Sequence, residues 1–110
     1  PEGHCRYSAD IDLLGQPQRI SVEYPDGYPD FRPFMTHPSG VRAVEIDVSG
    51  DPKIDRLRAN AAAGRTDWDS MPPTGWTWHH VEDARTMQLV PSVINQRFGH
   101  QGGASIARNR

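Results

Sequence analysis

Trp76-Thr77-Trp78-His79-His80-Val81-Glu82-Asp83, then Thr86-Met87-Gln88-Leu89-Val90-Pro91, then Asn95 and His100-Gln101-Gly102-Gly103 carry the reading of this chain. Trp76 to His80 reads as a strand with Trp76 and Trp78 on one face. Glu82-Asp83-Ala84-Arg85 makes a turn, and Thr86 to Val90 returns as a second strand with Met87 and Leu89 on its buried face. Pro91-Ser92 opens a short helix that runs to about Phe98, with Val93, Ile94 and Phe98 as its buried contacts and Gly99 as its end. The expected unit, positions 76–103, is a β-hairpin followed by a helix. It gathers His79, His80, Asn95 and His100 around one point.

Upstream, Gly50-Asp51-Pro52 opens another helix: Asp51 suits an N-cap and Pro52 the first helical position. Ile54, Leu57 and Ala61 are the expected buried stripe, with Lys53, Asp55, Arg56 and Arg58 elsewhere, and Gly64 the expected C-terminal cap. This helix reads as scaffold. Arg65 to Gly75 reads as a linking loop in which Trp68 plugs the edge of the core. Val41 to Val48 is the clearest strand signal, with Val44, Ile46 and Val48 facing in and Glu45 and Asp47 forming a solvated face. Tyr28-Pro29-Asp30-Phe31-Arg32-Pro33-Phe34 is kept extended by its two prolines. It reads as a loop strapped over the core by Tyr28, Phe31 and Phe34, with a base-stacking platform as the alternative. His37 falls in a turn and is expected to be exposed. Arg19 to Tyr24 alternates like a half-buried strand and stops at Pro25-Asp26-Gly27. Before it, Pro1 to Gln18 has no convincing period. Ile11, Leu13 and Leu14 are expected to anchor a turn or short strand, and His4 and Cys5 to sit on a frayed end.

The bulk numbers bound the answer. A chain of 110 residues makes one domain, with positions 1–26 as an N-terminal extension. Hydrophobic content of 35% and a mean hydropathy of −0.71 predict a small core, and ten Pro with ten Gly predict long irregular connections. A single cysteine excludes an internal disulfide and a cysteine-based zinc cluster. No run reaches the length of a membrane span, and a monomer is expected. The net charge of −2 gives no overall support to nucleic-acid binding, but its distribution does. After Asp83 there is no acidic residue, while Arg85, Arg97, Arg108 and Arg110 remain. A locally basic C-terminal third suffices to meet phosphate, and Arg85, Arg97 and Arg108 are the candidate phosphate contacts. The chain opens on Pro1 rather than Met, which fits either a C-terminal piece of a longer polypeptide or a trimmed chain.

The residue types around 76–103 suit phosphodiester hydrolysis. A water must lose a proton while charge builds on the phosphate and leaving oxygens. Neutral histidine is a suitable general base near pH 7, and one divalent cation can stabilise that charge. Adjacent strand residues point to opposite sides, so His79 and His80 can divide these roles: one binds metal, the other faces the water. Asn95 and His100 complete the ligands.

Trp78-His79-His80, the run Thr86 to Pro91 and the His100-x-Gly-Gly ending resemble the WHH group of the HNH/endonuclease VII superfamily, best known as C-terminal DNase domains of bacterial polymorphic toxins. Gly27 to Phe31, the Val44-Glu45-Ile46 strand and Ala59 to Gly64 also resemble that group, so the similarity spans about 27 to 106. The resemblance implies an α+β fold: a ββα-metal (His-Me finger) nuclease core with an N-terminal strand/loop extension and one scaffold helix. It implies a metal-dependent endonuclease acting on DNA, with His80 as general base and His79 and His100 as metal ligands. It implies delivery into a target bacterial cell as part of a larger toxin, action in the cytoplasm, and a cognate immunity protein. The charge asymmetry makes that partner acidic. The family usually has a histidine where this chain has Asn95. An amide carbonyl is a harder, weaker ligand, which favours Mg²⁺ or Mn²⁺ over Zn²⁺ or Ni²⁺.

Three alternatives stand beside this reading. Taken singly, each histidine would be an ordinary core or surface residue. The same hairpin and helix could hold a structural zinc and bind nucleic acid or protein without catalysis; that predicts a closed four-ligand site with no spare base. An RNase on the same fold is the third.

Overall fold

The computed structural model describes residues 5–25, 27–68 and 73–99. His4, His100 to Gly103, Arg108 and Arg110 lie outside them, so the sequence expectations for those residues receive no structural account.

The chain is a small mixed domain of strands and helices. β1 (Cys5–Leu13) and β2 (Gln16–Tyr24) pair antiparallel as a two-stranded ribbon. β3 (Ala43–Glu45), β4 (Trp76–His80) and β5 (Thr86–Pro91) form a second sheet in the order β3-β5-β4, antiparallel throughout. Helix α1 (Pro52–Ala62) precedes β4, and α2 (Ser92–Phe98) follows β5. The expected hairpin and following helix are therefore present, with Pro91 ending β5 and standing at the N-cap of α2 rather than inside it.

β5 is central and covered on both faces, which is why Met87, Leu89 and Val90 are all fully buried. Met87 and Leu89 join Trp76, Trp78 and Ala59 of α1 in one cluster. Val90 turns the other way, to Ile94 and Phe98 of α2 and to Ile20, Val22 and Tyr24 of the ribbon. Phe31 closes that second cluster, with Phe34 packed against it. Phe31 and Phe34 thus strap the loop down as expected, but Tyr28 lines a cleft beside His79 instead of the core, and Arg32–Phe34 winds into a short 3-10 helix instead of staying extended. Trp68 packs at the edge of the first cluster, as expected.

Several sequence expectations are corrected. The ribbon extends back to Cys5, where no strand period was visible. Most of its positions are exposed, so nothing enforces alternation. Cross-strand pairs hold it instead, including Arg6 with Glu23 and Ser8 with Ser21. Its two-residue turn places Leu14 and Gly15 at positive φ, and Leu14 is exposed rather than an anchor. The strand expected over Val41 to Val48 shrinks to three residues, and Val48 is exposed. His37 is half-buried, edge-on to Trp76 with ring centroids 4.8 Å apart, because the turn that carries it folds onto the tryptophans. Val93 is exposed.

The largest correction concerns α1. Its start is as read: the Asp51 side chain accepts from Lys53 N–H at 2.9 Å, with Pro52 in the first turn. Its inward face, however, is Asp55, Ala59 and Asn60. Ile54 and Leu57 stay 40% and 42% exposed, and Ala61 is also exposed. The helix turns polar groups inward because the sheet offers them partners. Asn60 Oδ1 accepts from the Trp78 indole N–H at 2.7 Å, in a buried position.

That bond predicts a stability effect. Asn60→Ala leaves the indole N–H unpaired in the core and should cost about 1–3 kcal/mol. Trp78→Ala should cost on the order of 3–5 kcal/mol. Urea unfolding of both variants checks the ranking.

Candidate active site

β4 sends successive side chains to opposite faces of the sheet. His79 points toward α2 and His80 toward α1. The two histidines thus enter different environments although they are neighbours in sequence.

His79 Nδ1 stands 3.0 Å from Asn95 Oδ1. Its ring packs edge-on to Phe31, with centroids 4.8 Å apart and planes at 71°. Burial pushes the His79 pKa below its ordinary value; the hydrogen bond to Asn95 opposes this and nearby His80 adds to it. The ring is neutral at pH 7, the state in which imidazole binds metal. Asn95 is itself held tightly. Gly99 N–H donates to the Asn95 carbonyl at 2.7 Å, and Tyr24 Oη donates to the Phe98 carbonyl at 2.6 Å. A Cβ on Gly99 would collide with the Asn95 carbonyl oxygen and lie 2.9 Å from Asn95 Oδ1. Glycine at 99 is needed for this close approach, beyond ending the helix.

The outer side of His79 opens into a cleft of about 210 Å³ lined also by Tyr28, Asp30, Arg32, Glu82 and Gln88. Arg32 grips Asp30 through two bonds of 2.8 Å, and that guanidinium holds the Asp30 carboxyl below its ordinary range. A larger groove of about 990 Å³ lies between Glu45, Asp47, Arg58, Asp83 and Arg85. It contains none of the histidines and mixes both charge signs, so size does not mark the site here.

His80 Nε2 stands 3.1 Å from Asp55 Oδ2. The His80 side chain is 43% exposed, whereas that of Asp55 is 1% exposed. The other carboxylate oxygen, Oδ1, accepts from Ser49 N–H at 2.8 Å and Ser49 Oγ at 2.9 Å. The Ser49 backbone N–H does most to hold the Asp55 pKa down, to about 2. Burial opposes it, and the bonds from His80 and the Ser49 hydroxyl add to it. Sequence reasoning placed Asp55 on the outer face and missed this contact. The available signal was Asp55, Ala59 and Asn60 at i, i+4 and i+5, a small and polar face of one helix.

Of the candidate site residues, the structure brings His79 and Asn95 together and places His80 across the strand from them. Arg85 is exposed in the hairpin turn, 3.9 Å from Glu45 Oε1. Arg97 is exposed in the last turn of α2. His100 and Arg108 lie outside the described residues. Among the described residues no three His, Cys, Asp or Glu side chains converge. An amide oxygen only accepts, so in this contact His79 Nδ1–H donates to Asn95 Oδ1, and a cation held by the two atoms would take that proton's place. Adjacent ligands of an octahedral ion with bonds of about 2.1 Å stand about 3.0 Å apart, which equals their separation.

A neutral histidine paired with a helix amide, beside a solvent-reaching histidine paired with a buried carboxylate, marks a polar centre equipped for proton transfer. Residues 69–110 match the WHH family, described as a nuclease of the HNH/ENDO VII superfamily with conserved WHH. The match takes in Trp78-His79-His80, the hairpin and α2, and covers less than half of the chain. It supports a nuclease activity, of the endonuclease kind. No curated protein and no solved structure matches the chain. Among the described residues no helix is long and apolar enough to cross a membrane.

Two outcomes follow. Gly99→Ala should lower stability by about 1–3 kcal/mol through overpacking and should separate Asn95 from His79, read by urea unfolding and by the His79 ring resonances. The second concerns acid. Asp55 titrates at about 2 in the folded chain against an ordinary 3.8, so its folded pKa is depressed. Its contribution to stability is therefore fully present above about pH 4 and is lost as pH falls toward 2. Asp55→Asn should reduce stability at pH 7 and flatten the acid limb of the stability curve, measured by unfolding at stepped pH.

Proposed function

We propose that this chain is a metal-dependent endonuclease that hydrolyses DNA on a ββα-metal core, acting as the toxin domain of an interbacterial polymorphic toxin. The observation that carries the reading is the split of His79 and His80 across one strand, within the segment that matches a nuclease family. His79, Asn95 and His100 are the proposed ligands of one divalent cation, Mg²⁺ or Mn²⁺ in preference to Zn²⁺ or Ni²⁺. When bound, that cation neutralises charge on the scissile phosphate and the leaving oxygen.

The chain's own residues do the rest. His80, open to solvent on one side, takes the proton from the attacking water. His79 and Asn95 present their donor atoms on the opposite face, oriented by Phe31 and Gly99. Arg85, Arg97 and Arg108 hold the phosphate backbone without reading bases. In the toxin reading the chain is delivered into a target cell, acts in its cytoplasm as a monomer, and is neutralised in the producing cell by an acidic immunity protein that covers the basic C-terminal third.

Purified protein incubated with plasmid DNA, and separately with total RNA, across a metal series tests this. Nicking of DNA with Mg²⁺ or Mn²⁺ and poor activity with Zn²⁺ are expected. His80→Ala should lower the rate by about 10²–10⁴-fold with metal affinity retained. Asn95→His should raise affinity for Zn²⁺ or Ni²⁺ severalfold or more, read by calorimetric titration. Activity only in Asn95→His would mean that asparagine disables the parent. Cleavage of RNA alone would reassign the substrate.

Arg85→Ala and Arg97→Ala should each weaken DNA binding alike on all sequences and lower the salt slope by about one unit. A loss confined to one sequence would make that arginine a base reader.

A further inference from the structure

Asp55 is the one fully buried acidic side chain among the described residues. Its surroundings are built around it. One residue, Ser49, supplies two donors to Oδ1, and among the described residues Oδ2 bonds to His80 Nε2 alone. Asp55 also sits one turn into α1, whose start is fixed by the Asp51 cap and Pro52, so its backbone position is set independently of His80. An ionised carboxylate is expensive to bury unless its lone pairs are used. The helix orientation that buries it leaves Ile54 and Leu57 exposed. Hydrophobic packing alone would have chosen a different face.

We infer that Asp55 is a positioning residue for His80: it holds the imidazole by Nε2–H and thereby directs the Nδ1 lone pair to the attacking water. A carboxylate can only accept, so the neutral ring facing it must carry its proton on Nε2. The other ring nitrogen, Nδ1, is then the atom free to accept. The proton leaving water goes to Nδ1, the Nε2–H bond stays intact, and the Asp55 carboxylate stays ionised throughout. Asp55 touches neither water nor phosphate in this scheme and acts through His80. The inference rests on His80 being the base.

Asp55→Asn is the informative change because it keeps the shape and reverses the instruction. Its carbonyl oxygen can replace Oδ1 in the Ser49 bonds, and its amide then points an N–H at His80 Nε2. The ring must answer with a lone pair on Nε2 and its proton on Nδ1, which blocks the base. Long-range ¹H–¹⁵N spectra of the metal-free protein, at a pH where the ring is neutral, report the tautomer directly. The parent is expected to show Nε2–H, Asp55→Asn to show Nδ1–H, and Asp55→Glu to restore Nε2–H. With plasmid DNA and Mg²⁺, Asp55→Asn should lower kcat by about 10²–10⁴-fold with KM within about threefold, and Asp55→Glu should recover part of that loss. Asp55→Asn combined with His80→Ala should lose no more than His80→Ala alone.

A parent ring protonated on Nδ1 overturns the inference even if the Asp55→Asn chain does not fold. So does Asp55→Asn activity within threefold of the parent while His80→Ala is inactive; the base assignment then survives and the role of Asp55 does not. His80→Ala activity within tenfold of the parent removes the base assignment itself, and the role of Asp55 falls with it.

Discussion

The alternation of side chains along β4 is the constraint on which the arrangement depends. Trp76, Trp78 and His80 face α1, while Thr77 and His79 face α2. A shift of one residue in the β4–β5 register would send the tryptophans to the wrong layer and exchange the two histidines. The register is secured from both sides. Met87 and Leu89 stack with the tryptophans, and the Trp78 indole N–H is tied to Asn60. Packing and chemistry are therefore set by one decision, since the same register that buries the indoles delivers His79 to Asn95 and His80 to Asp55.

Helix α1 is where packing and site chemistry compete. Its two longest aliphatic side chains, Ile54 and Leu57, remain about two-fifths exposed, and it buries Asp55 and Asn60 in their place. Asp55 and Asn60 both find partners: the amide oxygen an indole, the carboxylate Ser49 and His80. Such pairs add little net stability over apolar contacts, but breaking one partner is costly because the other is left unpaired. Their effect is geometric. They fix the rotation of α1 about its axis and hence the distance from Asp55 to the end of β4.

The opposite layer reaches its geometry by close approach. Phe31 sets the plane of His79, and Gly99 lets the last turn of α2 come against Asn95 without a side chain between. Burial keeps His79 neutral, while the exposed edge of His80 keeps that ring open to water. One strand thus presents a largely covered histidine on one face and a more exposed one on the other. Both histidines lie within residues 69–110, the segment that matches a nuclease family.

The hairpin and the helix after it were legible in the sequence because their signals are local: aromatic alternation, a polar turn, a proline at the end of the return strand and a glycine past the helix. The candidate residues His79, His80 and Asn95 were legible for the same reason. The pairing of Cys5–Leu13 was not, because an exposed ribbon held by cross-strand polar pairs leaves no hydrophobic period. The buried face of α1 was also hidden. A helix with aliphatic residues on one side and Asp55, Ala59 and Asn60 on another reads by hydrophobicity as scaffold with the aliphatics inward. Only the sheet's offer of an indole N–H and an imidazole made the polar face the inner one, since a buried polar group is acceptable only where its partner already waits. By itself the sequence determined the hairpin, the helix after it and the candidate residues His79, His80 and Asn95 that they carry. The tertiary structure decided what each histidine faces, and with it brought Asp55 beside His80, because those contacts join residues 16 and 25 positions apart that no local pattern connects.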